Sequence, residues 1–178
     1  MTETKKLLGD ERRAYILSLL QNNGRTYTGS ELAKLTNVSR QIIVGDITLL
    51  KAKNEPILAT SQGYIYLSPS KPALYEKIVA CNHGPERTEE ELNLFVDNGV
   101  TVKDVKIEHP VYGDLTASIL VSNRKEVQQF MKKIAHTNAS YLSQLTEGIH
   151  LHTISASSER ILKEAEEALK SAKFLIED

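Results

Sequence analysis

Cysteine is almost missing from this chain. Cys81 stands alone, so no disulfide can form within it, which fits a reducing compartment. No apolar run approaches the roughly 20 residues that a membrane-spanning helix requires. The opening stretch, Met1 to Lys6, lacks the apolar core of a secretory signal, and the expected compartment is the cytoplasm. Internal repeats and low-complexity tracts are absent as well. So are an HExxH helix, a GxSxG elbow and a glycine-rich phosphate loop, the usual marks of metalloproteases, serine hydrolases and nucleotide-binding enzymes. Net charge is only −1 over 178 residues. It is unevenly placed, however: residues 1–68 carry nine Lys/Arg against six Asp/Glu, and residues 69–178 carry thirteen against seventeen. A mildly basic head on an acidic body fits phosphate contact by the head alone.

What is present divides at Ser68-Pro-Ser-Lys-Pro72, a linker by composition, into domains 1–68 and 72–178. In the first, Asp10 to Gln21 carries Ala14, Ile16, Leu17, Leu19 and Leu20 in an amphipathic helical pattern. A second short helix is predicted from Gly29 to Leu35. After a tight turn at residues 36–38, Ser39 is the expected N-cap of a third helix, Arg40 to Lys51, with Ile43, Ile47 and Leu50 on one stripe. Ile57 to Leu67 reads as two short strands around a glycine-containing turn. Three helices and a hairpin is the order of a winged helix-turn-helix. A helix that enters the major groove needs one apolar face and one hydrogen-bonding face. Ser39, Arg40, Gln41 and Thr48 are therefore the candidate DNA contacts, joined by Thr60, Ser61 and Gln62 at the hairpin tip. Through Ser30-Glu-Leu-Ala33 and residues 38–47 this stretch resembles the repressor domain of biotin ligases and similar bacterial regulators. Gly45 departs from that pattern, since many such helices carry a long polar residue there.

The second domain reads as βαββαβα: strands Tyr75–Asn82, Val102–Val111, Leu115–Val121 and Gly148–Ile154, with helices Thr88–Val96, Arg124–Ala135 and Ser158–Leu175. That order predicts an α+β fold with helices on one face of a mostly antiparallel sheet. Its second face is then open to a ligand or a partner subunit.

Histidines carry the chemistry. In Glu147-Gly-Ile-His-Leu-His-Thr-Ile154 the strand alternation puts His150 and His152 on one face and Ile149 and Leu151 on the other. Two imidazoles sharing a face suit a transition metal, although two surface histidines on a solvated sheet would look the same. Glu91 stands in Thr88-Glu-Glu-Glu91, which locally reads as a capping box. His109 shares strand parity with Val105, Ile107 and Val111 and reads as a hydrogen-bonded core or edge histidine. His136 suits a helix C-terminus and is given no chemistry.

Taken in order, His83-Gly-Pro with Glu91-Leu92, His109-Pro-Val-Tyr-Gly113 and Gly148-Ile-His-Leu-His-Thr153 resemble the 3H-domain family over essentially the whole chain. The resemblance implies an HPr-like two-layer regulatory domain behind the winged helix. It implies a homodimeric repressor that binds palindromic operator DNA, responds to nicotinate, and controls genes of NAD synthesis or niacin uptake. It also implies a divalent transition metal of the nickel, zinc or iron class on His83, Glu91, His150 and His152, with no enzyme activity. His109 and Tyr112 are further candidates for lining the effector pocket. The alternative expectation is a regulator that senses the metal directly.

Overall fold

Helix α1 (Gly9–Asn22) places Ile16 and Leu20 against Leu32 of α2 (Gly29–Thr36) and Ile43, Ile47 and Leu50 of α3 (Arg40–Ala52). These elements belong to a computed structural model that describes residues 7–22, 24–67 and 74–176. The chain divides into two units, Met1–Lys71 and Pro72–Asp178. The sequence-predicted linker, Ser68 to Pro72, lies outside the described residues.

Local chemistry sets the turns of the first unit. Thr28 caps α2 through a capping box: its hydroxyl accepts from the Glu31 amide at 3.1 Å, and the Glu31 carboxylate accepts from the Thr28 amide at 2.7 Å. Asn37 ends α2 in the left-handed conformation, φ 52°. Ser39 caps α3 as expected, accepting from the Ile42 amide. Strands β1 (Ile57–Thr60) and β2 (Gly63–Tyr66) form the wing. A bridge from Tyr64 to Tyr27 ties the wing to the chain before α2. Gly63 is needed there: its φ is +128°, and an added Cβ would stand 2.5 Å from the Tyr27 carbonyl oxygen.

Beneath α3 lies a buried ion pair that the sequence did not advertise. The Arg12 guanidinium donates to both oxygens of Asp46, at 2.6 and 3.2 Å, and Arg13 adds a third bond at 3.1 Å. Asp46 is buried on the inner face of α3.

The second unit is a four-stranded antiparallel sheet in the order β3 (Tyr75–Asn82), β6 (Ile149–Ala156), β4 (Thr101–His109), β5 (Gly113–Val121). One face is covered by α4 (Thr88–Asp97), α5 (Arg124–Thr137) and α6 (Glu159–Ser171), whose Leu92, Phe95, Val127, Leu162 and Leu169 meet Val79, Val102, Val121 and Ile154. This is the predicted βαββαβα two-layer α+β arrangement. The last helix is shorter than expected. Ala172 caps it, Lys173 turns left-handed (φ 59°), and Leu175 bridges Cys81, so the chain end extends the sheet edge instead of continuing α6.

Candidate metal centre and DNA-facing surface

Strand pairing assembles the centre. Antiparallel partners share a face, and β3 sets Cys81 opposite His150 and Val79 opposite His152. Val79 and Cys81 belong to the helix-covered core, so the two imidazoles of β6 point inward. His150 and His152 are buried, while Ile149 and Leu151 are exposed on the uncovered face. The solvated-imidazole alternative is therefore wrong: this strand buries its histidines and exposes its aliphatics.

Glu91 rises from α4 to meet them. Its oxygens lie 3.3 Å from His150 Nε2, 3.3 Å from His152 Nε2 and 2.8 Å from His83 Nε2. The capping-box reading fails here. The N-cap of α4 is Arg87, with no side-chain cap bond, because the 3-10 turn Pro85–Arg87 runs directly into the helix. Glu91 stands in the first turn of α4 with its side chain in the core, where it is 1% exposed.

The second nitrogen of each ring decides the chemistry. His83 Nδ1 lies 2.8 Å from the Gly84 carbonyl, His150 Nδ1 2.8 Å from the Gly148 carbonyl, and His152 Nδ1 2.6 Å from the Asp104 carbonyl. A carbonyl only accepts, so each Nδ1 must carry the hydrogen. A neutral ring then presents a lone pair at Nε2. Three Nε2 nitrogens and a carboxylate thus converge on one buried point. Such a set has the donor chemistry of a transition-metal site. Burial opposes charge on His83 and His152, yet the Glu91 carboxylate overrides it and raises both. Burial likewise opposes ionisation of Glu91, but His152 and its neighbours hold it well below the usual carboxylate range. Protons alone serve the set poorly: neighbouring ring centroids are 4.8–4.9 Å apart, and one carboxylate balances one imidazolium. A divalent metal satisfies all four donors, and Nδ1–H groups held by carbonyls are how metal-binding imidazoles are oriented.

Cys81 is the donor sequence reasoning missed. A ligand atom from each of Cys81, Glu91 and His150 falls within 4.8 Å of the others. Burial, and after it the Glu91 carboxylate, push its thiol far up in the metal-free protein. Only the β3–β6 register could have revealed it.

Gly148 holds this outer frame together. Its carbonyl orients His150, its φ is +96°, and a Cβ would stand 2.5 Å from the His83 carbonyl oxygen. Gly148→Ala is expected to destabilise the unit by about 1–3 kcal/mol and to weaken metal binding by roughly 10–100-fold. Metal titration and denaturant melts check this; unchanged metal affinity would show that the carbonyl frame does not orient the ligands.

The second-tier effector residues lie elsewhere. His109 Nδ1 accepts the amides of Val111 and Tyr112, each at 3.2 Å, which makes it the cap of the β4–β5 hairpin turn. Val111 and Tyr112 are exposed, so His109 is an edge histidine and not among the apolar neighbours its parity suggested. A cavity of about 440 Å³ lies along β4 and β6, lined by Lys106, Glu108, Asp114, Thr146, His150 and Leu151 among others. Neither His109 nor Tyr112 is one of its walls. Lys106 brings positive charge to that wall; its ammonium donates to Thr153 Oγ1 at 2.8 Å and lies 3.7 Å from Asp104.

In the first unit, Ser39, Arg40, Gln41 and Thr48 are all exposed along α3. Thr60, Ser61 and Gln62 are half-buried at the wing tip and bond among themselves: the Thr60 hydroxyl accepts from the Gln62 amide, and the Gln62 side chain donates to Ser61 Oγ. They brace the turn whether or not DNA is present.

Comparison with known proteins agrees with both halves. A 3H domain model matches residues 76–178, and an HTH domain model matches residues 12–65. The chain is 61% identical over 180 residues to "Transcription repressor NadR" of Bacillus subtilis, covering all of both chains. It is 38% identical over 173 residues to "Probable transcription repressor NiaR" of Thermotoga maritima, covering 97% of this chain and 98% of that one.

Proposed function

The chain belongs to the 3H-domain family of transcription repressors, and from that membership we propose a nicotinate-responsive repressor of NAD-synthesis or niacin-uptake genes whose second unit holds a divalent transition metal. It is a DNA-binding regulator rather than an enzyme. The observation that carries the metal reading is the convergence of three Nε2 lone pairs on the buried Glu91 carboxylate. His83, Glu91, His150 and His152 would hold the ion. When bound there, a metal of the nickel, zinc or iron class supplies positive charge and Lewis acidity that favour a nearby aromatic carboxylate.

The chain's own residues do the rest. Lys106 offers a cation in a cavity along the uncovered face of β4 and β6, and an ammonium pairs readily with a carboxylate. Nicotinate fits the cavity's size. A homodimer on a palindromic operator would set two copies of α3 one DNA turn apart. As a corepressor, nicotinate must bind the operator-competent arrangement more tightly than the other, since equal affinity shifts nothing.

Isothermal titration of nicotinate into the metal-loaded protein tests the reading, with nicotinamide as control and a His150→Ala/His152→Ala variant alongside. Saturable nicotinate binding is expected, weaker for nicotinamide and lost in the variant, together with tighter operator binding. Operator binding that weakens on adding nicotinate overturns the corepressor sign. No nicotinate binding with the metal in place, but operator affinity that follows the metal alone, would make this a direct metal sensor.

A further inference from the structure

Helix α3 turns Ile43, Asp46, Ile47 and Leu50 inward, which leaves residues 41, 42, 45, 48 and 49 together on the opposite face by helical spacing. Gly45 lies in the middle of that face. A Cβ built on it meets no heavy atom within 4 Å, so nothing among the described residues excludes a side chain there. Its φ is not left-handed either, as Gly45 is absent from the positive-φ residues. Glycine is still the poorest choice for a helix interior after proline, because it surrenders the most backbone freedom. The bare position therefore answers to something outside the chain.

Its neighbours indicate what. Ile42 is 38% exposed and Leu49 49% exposed, two large aliphatics flanking Gly45 on the face that a helix-turn-helix offers to DNA. Thr48 donates its hydroxyl to the Val44 carbonyl at 2.8 Å, which leaves its methyl as the free contact group. Apolar groups have one natural partner on a base edge in the major groove, the C5 methyl of thymine. We propose that α3 reads thymine methyl groups through Ile42, Leu49 and the Thr48 methyl, and that Gly45 is bare so that the helix backbone can approach the bases closely. This rests on the DNA-binding assignment and names the groups on the DNA that the helix recognises. Arg40 and Gln41, exposed at the first turn, supply polar contacts beside them.

The test uses the full-length protein. A duplex is first selected from a random library by the wild-type chain, in parallel with and without added nickel or zinc and nicotinate. It is then resynthesised with uracil in place of thymine, one position at a time, which deletes the methyl and keeps the base pairing. Binding should weaken by about fourfold at the contacted positions, the effect of one buried methyl. That penalty should vanish at one position in Ile42→Ala and at another in Leu49→Ala. Gly45→Ala should melt a few degrees higher, as a better helix former, yet bind the selected duplex roughly tenfold or more weakly. Unchanged affinity for the selected duplex in Gly45→Ala, or indifference to uracil at every position, overturns the proposal. If the wild-type chain enriches no sequence at all, the DNA-binding assignment itself fails.

Discussion

Glu91→Gln is expected to abolish the thermal stabilisation that a transition metal confers while leaving the metal-free protein at least as stable as the wild type. The reason lies in the donor inventory. In the metal-free wild type a buried carboxylate faces three Nε2 nitrogens, with contacts of 2.8–3.3 Å, and burial opposes both its charge and that of any imidazolium paired with it. A buried ion pair carries a desolvation cost that a neutral hydrogen-bonded group avoids. A glutamine fills the same volume, removes the charge, and gives two N–H donors to nitrogens that otherwise accept. Without metal, the exchange therefore relieves the core. With metal, it removes the one anionic ligand. At a metal concentration 100 times the dissociation constant, the wild type gains about 2.7 kcal/mol, roughly 10–20 °C for a unit of this size. The variant should gain almost nothing. Melting curves with and without added nickel or zinc decide it. A variant that keeps the full metal-dependent shift would remove Glu91 from the ligand set, and a variant that is severely destabilised without metal would refute the lone-pair argument.

Asp46→Ala should cost about 3–5 kcal/mol in the first unit, because it strands the Arg12 guanidinium in the interior without its partner. Against the total stability of an ordinary domain, about 5–15 kcal/mol, that is enough to lose operator binding near physiological temperature. Metal and nicotinate binding by the other unit should survive. The double change Arg12→Met/Asp46→Leu should restore most of the stability, since an apolar pair of similar volume is often as good as a buried ion pair. A single-variant cost below about 1 kcal/mol would show that the pair is incidental. Denaturant melts measure the stability, and operator titration measures the loss of the head.

Much of the fold is legible in residue order. The periodicity of Ile43, Ile47 and Leu50 predicts α3, and the alternation through His150 and His152 predicts β6. Both helix caps at residues 39 and 88 look equally good as sequence, however, and only one is real. Ser39 caps α3. Thr88 does not cap α4, because the preceding 3-10 turn makes Arg87 the N-cap. A capping box is a local pattern, and whether it is used depends on how the chain enters the helix.

The ligand candidates His83, Glu91, His150 and His152 were readable by resemblance, while their convergence was not readable from spacing. His83 and Glu91 are far from His150 in the chain; the antiparallel register of β3 with β6 brings the end of β3 beside His150, and α4, packed on the sheet, supplies Glu91. The same register introduces Cys81, which no motif marks. The irregular pairing of β4 with β6 between Val102 and Lys106 surrounds Asp104, whose carbonyl fixes the His152 tautomer.

The sequence by itself determined the element order, the apolar stripes, the absence of disulfide and membrane-span chemistry, and which residue types were available as ligands. These depend on neighbours within a few positions, so local periodicity records them. Tertiary structure alone decided which face of β6 is buried, which nitrogen of each imidazole is left bare, and that Arg12 and Asp46 meet under α3. Each of these depends on groups distant in the chain sharing one small volume, and only packing brings them there.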